Sequence, residues 1–146
     1  MQRRWVGWML LAFVAAAVLF GGMARAGQRR DCASNAKQLA VAMLLYTQDY
    51  DERLPPMVDT AKVQTVLLPY VKDRIVFNCV VGGKPFHWNR AISAVPLSQI
   101  KNPAQTVLLY DDAPHDGTRV VGFVDGHVVR MREEQFAALV KAKAVQ

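Results

Sequence analysis

The chain has 146 residues, 52% hydrophobic and 21% charged, and its 18 Lys plus Arg against 12 Asp plus Glu give a formal net charge of +6. At roughly 100 to 200 residues per domain there is space for one small domain, which excludes a multidomain enzyme with separate nucleotide and substrate lobes. The apolar fraction excludes an intrinsically disordered chain.

The first element is the run from Trp5 to Ala24, which carries no charge and is long enough to cross the roughly 30 Å core of a bilayer as a helix. Three readings fit it. It is a secretory signal cut at Ala24-Arg25-Ala26 before Gly27, or an uncleaved anchor, or a prepilin-type segment whose short basic leader ends at Gly7 before the bulky Trp8. Arg3 and Arg4 precede the run and Arg25, Arg29 and Arg30 follow it, so the flanking charges leave its orientation open. Without Arg3, Arg4 and Arg25, 15 basic residues face 12 acidic ones from Gly27 onward, a net of +3. No Lys/Arg cluster interleaved with aromatics accompanies that charge, and no nucleic-acid partner is expected. The organisation expected is residues 1–26 as a transmembrane stem or signal-like segment and residues 27–146 as a head.

Past Gly27 the pattern becomes amphipathic. Cys32, Ala36, Leu39, Met43, Tyr46 and Tyr50 recur at spacings of three and four, which predicts a helix with one core-facing stripe. No proline precedes Pro55, so the two runs can form one helix of up to about 45 residues, ended by the segment Asp51 to Pro56. A second helix is predicted from Thr60 to Lys72, where Val63, Val66, Leu67 and Tyr70 share a face. Strands are predicted at Ile75–Cys79, at Phe86–Ile92 after a Gly82-Gly83 turn, and at Gln105–Tyr110. Arg119–Val124 and His127–Met131 flank Asp125-Gly126, read as a two-residue hairpin turn. A closing helix is predicted over Arg132–Lys143, with Phe136, Leu139 and Val140 on one face. The fold class is α+β.

Cys32 and Cys79 form one disulfide if the head is exported and remain buried thiols in a reducing compartment. A bridge between them closes a loop that the chain-entropy view values at roughly 4 kcal/mol.

Chemistry-bearing side chains concentrate between residues 111 and 127. Asp111, Asp112 and Asp125 are a candidate metal set, suited to Ca²⁺ as carboxylates alone and to Zn²⁺ or Mn²⁺ if His115 and His127 join them. The competing reading makes Asp112, Asp116 and Asp125 turn formers beside Pro114, Gly117 and Gly126. His115 is expected to orient the hairpin by bonding the Asp125 side chain or a backbone carbonyl. Ser34, Ser93 and Ser98 lack a nucleophile-elbow setting, and the glycine pairs lack phosphate-loop spacing. No catalytic set emerges, and the chain is expected not to be an enzyme.

Four ordered elements carry a resemblance. Residues 31–39 (DCASNAKQL) with residues 46–55 (YTQDYDERLP), then Phe77-Asn78-Cys79, then residues 101–107 (KNPAQTV), then His115 and Asp125-Gly126 with nine residues between them, resemble a large bacterial family of pseudopilin-like proteins with an H-x9-D-G signature. Val80 stands where that family usually has Pro after its F-x-C element. The resemblance implies a long N-terminal helix packed on a small antiparallel sheet. It implies a non-enzymatic subunit of a type II secretion or type IV pilus-like system, single-pass in the bacterial inner membrane with its head extracytoplasmic. The implied partners are other pilin or pseudopilin subunits and the membrane. If the leader ends at Gly7, the fifth mature residue is Ala12 instead of the usual Glu, and a minor, tip-positioned or merely anchored role is compatible with that departure. The alternative is an exported metal-binding protein or metal-dependent enzyme using the Asp/His cluster.

Overall fold

A computed structural model describes residues 32–141. Trp5 to Ala24, Gly7 and the Ala24-Arg25-Ala26 site lie outside the described residues. Among the described residues no helix is long and apolar enough to cross a membrane.

Helix α1 covers 32–49, a stretch free of Gly and Pro that holds four Ala and three Leu, good helix formers. Its buried stripe is Cys32, Ala36, Leu39, Ala40, Met43 and Tyr46, as the spacing predicts. The helix stops for a different reason from the one expected. Asp51 and Glu52 both take left-handed backbone angles (φ 52° and 54°), and the Glu52 amide donates back to the Thr47 carbonyl at 2.8 Å. This is a Schellman-type closure several residues before Pro55. Tyr50 consequently leaves the core: it is 53% exposed and stacks on the buried Tyr46, ring centroids 4.2 Å apart.

Helix α2 spans Thr60–Leu67, with Asp59 capping the Ala61 amide at 2.9 Å. The predicted continuation to Lys72 is a short 3-10 turn, Leu68–Tyr70, because Pro69 has no amide for the α-helical bond and its ring opposes the carbonyl four residues back. The strand expected at Ile75–Cys79 is instead a 3-10 turn, Arg74–Phe77, started by the Asp73 side chain accepting from the Ile75 amide at 3.1 Å. Its burial agrees with the turn: Ile75 is exposed while the consecutive Val76 and Phe77 are buried, which is not the in–out alternation of a strand with one face on the core. The Gly82-Gly83 turn forms as predicted, with Gly83 at φ 65° and its amide on the Cys79 carbonyl at 2.7 Å.

Four strands make one antiparallel sheet in chain order: β1 His87–Trp88, β2 Val107–Tyr110, β3 Thr118–Phe123 and β4 Val128–Arg132. Strand β1 is shorter than Phe86–Ile92 because the Asn89 side chain accepts from the Ala91 amide and starts a 3-10 turn at Arg90–Ile92. Pairs such as Trp88 with Leu109 and Val121 with Val129 set the register. The inner strands β2 and β3 are buried on both faces. Leu109 and Val120 join α1, α2 and Trp88 in the main core, while Val107, Val121 and Phe123 pack with Phe136 of the closing helix α3, Glu133–Lys141. Two-sided burial is why β2 and β3 read as continuous apolar runs instead of alternating ones. Helix α3 starts one residue later than expected, since Arg132 still pairs with Thr118.

Both Asp-Gly dipeptides make turns, but of different kinds. Asp116 and Gly117 have φ 53° and 72°, and His115 and Thr118 exchange both backbone hydrogen bonds, so this is the two-residue type I′ turn joining β2 to β3. Asp125-Gly126, expected to be that turn, forms a three-residue loop with Val124. Phe123 pairs with His127, and only Gly126 (φ 88°) of the loop is left-handed. The α+β class with a small antiparallel sheet thus stands as expected, with four of the five expected strands formed.

Candidate functional site

The Cys32–Cys79 disulfide is formed, with Cα atoms 4.7 Å apart, and joins the first described turn of α1 to the loop before β1. Both cysteines are buried. Cys79 is fixed by its backbone amide, which donates a hydrogen bond to the Lys84 carbonyl at 2.9 Å, and the preceding Asn78 carbonyl accepts from the Asn35 side chain of α1 at 3.0 Å.

Against this disulfide stands His115. The type I′ turn holds its backbone, and its ring places Nε2 3.4 Å from Cys79 Sγ and 3.8 Å from Asp111 Oδ2. Gly82 lies over the ring: a Cβ there would sit 3.5 Å from His115 Cε1. His115 therefore does not orient the Asp125 hairpin. That bond belongs to His127, whose Nδ1 meets Asp125 Oδ1 at 2.5 Å while its ring stacks on Phe123.

Asp111, at the end of β2, is 1% exposed, and neither carboxylate oxygen has a hydrogen-bond partner. Burial pushes its carboxyl above the usual range, against the opposing pull of the Val120 and Asp111 backbone amides and of the neighbouring His115 and Arg119. Arg119 does not pair with that carboxylate. Its Nη1 donates to the Asp111 backbone carbonyl at 2.6 Å, its Nε and Nη2 grip Glu133 at 3.0 and 2.9 Å, and its guanidinium lies 4.6 Å over the Phe136 ring.

The three carboxylates of the candidate metal set are not brought together. Asp112 turns outward to Lys84 at 3.0 Å and His87 at 2.8 Å, whose hydrogen bonds hold its carboxyl below the usual range. Asp125 bends to accept from the His127 amide at 3.0 Å. Partial desolvation raises its carboxyl, but His127 and Lys37 outweigh that and leave it lowered. Asp116 and Asp125 thus act as turn formers. Among the described residues the group that does converge is Cys79, Asp111 and His115, whose ligand atoms lie within 4.8 Å of one another. Sequence reasoning singled out Asp111 and His115 but missed their companion. Cys79 lies 36 residues before His115, and no spacing rule links them.

Chemically, the site presents a buried disulfide, an imidazole and a buried carboxylate. Comparison of the chain with protein-family models, curated proteins and solved structures finds no match.

Proposed function

We propose that this chain is a membrane-anchored, pseudopilin-like assembly subunit of a type II secretion or type IV pilus-like system. It is non-enzymatic, anchored in the inner membrane by the run from Trp5 to Ala24, with its head outside the cytoplasm and other pilin-like subunits as partners. The observation that carries this reading is the Cys32–Cys79 disulfide. Such bonds persist in oxidising compartments, which supports an extracytoplasmic head. It also fastens the helix that follows the apolar run to the loop before the sheet, as a stem-and-head subunit requires. The ordered resemblance over residues 31 to 131 supports the same reading.

The test is expression of the full chain in a bacterium with such a system, followed by carbonate extraction of membranes, protease treatment of intact spheroplasts and N-terminal sequencing. The reading expects an integral membrane protein whose head is protease-accessible, starting at Met1 or Trp8. Recovery of a soluble species starting at Gly27 overturns it.

A further inference from the structure

The disulfide is buried together with two groups that a disulfide does not need. A sulfur bridge asks for no carboxylate, yet Asp111 is brought to 1% exposure beside it with both oxygens unpartnered. Desolvating a carboxylate without a partner costs several kcal/mol unless a cation arrives to compensate. His115 supplies no hydrogen bond to it, standing 3.8 Å away, while its Nε2 faces Cys79 Sγ at 3.4 Å.

These separations approach those of a coordination shell. With metal–sulfur bonds of about 2.3 Å and metal–nitrogen or metal–oxygen bonds of about 2.0 Å, the edges of a tetrahedron around zinc run from about 3.3 to 3.8 Å. The 3.4 Å from Cys79 to His115 matches a sulfur–nitrogen edge of about 3.5 Å, while the 3.8 Å from His115 to Asp111 is longer than a nitrogen–oxygen edge of about 3.3 Å. Closing the shell asks the Asp111 carboxylate to draw in, since the three ligand atoms spread over as much as 4.8 Å, and the two sulfurs to part from a bond to an edge.

We propose that reduction of the Cys32–Cys79 bond creates a four-ligand site for a divalent zinc-class cation, held by both thiolates, His115 Nε2 and the Asp111 carboxylate. The same buried locus then holds either an S–S bond or a metal ion, never both. A dithiol reductant gives two electrons to the disulfide, becoming a disulfide itself, and leaves two thiols whose protons depart as the cation binds. In reverse, an oxidising protein disulfide takes two electrons from the thiolates, reforms the S–S bond and expels the cation. Two sulfurs and an imidazole select zinc-class ions over Ca²⁺ or Mg²⁺, which demand oxygen shells. Of the four ligands only His115 reaches solvent, its side chain 21% exposed, and it marks the way in. This inference does not depend on the assembly role.

The experiment titrates Co²⁺, as a spectroscopic probe, into the detergent-solubilised full chain under anaerobic conditions, with the disulfide intact or reduced by a phosphine that is then removed. The reduced chain is expected to bind one Co²⁺ with a thiolate-to-cobalt charge-transfer band and tetrahedral visible bands, and the oxidised chain to show neither. His115→Ala and Asp111→Asn should each weaken binding at least tenfold. Cys32→Ser, which leaves Cys79 free without any reductant, should still bind, more weakly than the reduced parent. If reduction unfolds the head, Co²⁺ should restore the helical circular dichroism of the parent but not of His115→Ala. The proposal falls if the reduced or Cys32→Ser chain gives no such bands. It falls equally if the bands persist undiminished in His115→Ala and Asp111→Asn, or if the oxidised chain binds as well as the reduced one.

Discussion

His115 rests its Nε2 against the sulfur of Cys79, a residue 36 positions earlier. The contact joins the loop before β1 to the turn between β2 and β3, and the disulfide extends the chain of contacts to α1. Removing the disulfide should therefore loosen three parts of the head together. Cys32→Ala with Cys79→Ala is expected to lower unfolding stability by about 4 kcal/mol on the chain-entropy account. Urea unfolding of the full chain in detergent, followed by circular dichroism, measures it; a loss below about 1 kcal/mol would contradict the account.

Asp111→Asn keeps the shape of a side chain that has no hydrogen-bond partner and removes its charge. The expected outcome is a gain of about 1 kcal/mol in the metal-free oxidised chain at neutral pH, since the desolvation of an ion is no longer incurred. A loss of that size in the same urea assay would show that the carboxylate is compensated.

Arg119 is buried and serves the Asp111 carbonyl, Glu133 and Phe136 at once. Arg119→Ala should cost about 2 kcal/mol, at the lower end for a broken pair because Glu133 is 42% exposed and remains hydrated. Arg119→Lys should recover less than half of that, as an ammonium cannot reproduce the fork. Thermal unfolding of the two variants checks both statements.

Two glycines separate backbone strain from crowding. Gly117 has open space around its missing Cβ, so Gly117→Ala should cost only the left-handed penalty, about 1 kcal/mol. At Gly126 a Cβ would also come within 2.9 Å of Leu44 Cδ1, so Gly126→Ala should cost more, and Leu44→Ala should abolish the excess. A double-mutant cycle reads this directly.

The Tyr70 hydroxyl donates to Asp49 at 2.7 Å, and that hydrogen bond, ahead of desolvation and neighbouring charge, pushes its pKa up to about 12. A raised folded pKa favours the protonated form, so the contribution is present below the ordinary value of about 10 and is lost as pH rises through about 12. Burial also raises Tyr46, so ultraviolet titration should show late-ionising tyrosines of which the one near 12 disappears in Tyr70→Phe and moves down in Asp49→Asn.

Much of the fold is legible where a period is sustained. The α1 stripe from Cys32 to Tyr46 could be read because burial repeats every three or four residues, and β2 because β-branched and aromatic residues cluster there. The segment Ile75–Cys79 misled because a short apolar run fits a 3-10 turn as well as a strand, and the deciding group was the Asp73 cap. Two Asp-Gly pairs carry the same local signal, yet only Asp116-Gly117 has His115 and Thr118 in direct register, and strand register is a long-range property. At the candidate site Asp111 and His115 stood out by type, but burial and the Cys79 contact come from tertiary packing that no local pattern encodes.

The disulfide also decides how the head bears a load. A pull applied ahead of Cys32 passes across the sulfur bridge to Cys79 and on toward the sheet, bypassing the chain between them. Residues 33–78, with most of α1 and all of α2, form a closed loop outside the force path, and about 160 Å of extended chain cannot pay out. In the oxidised form the head yields to tension only through the segment beyond Cys79.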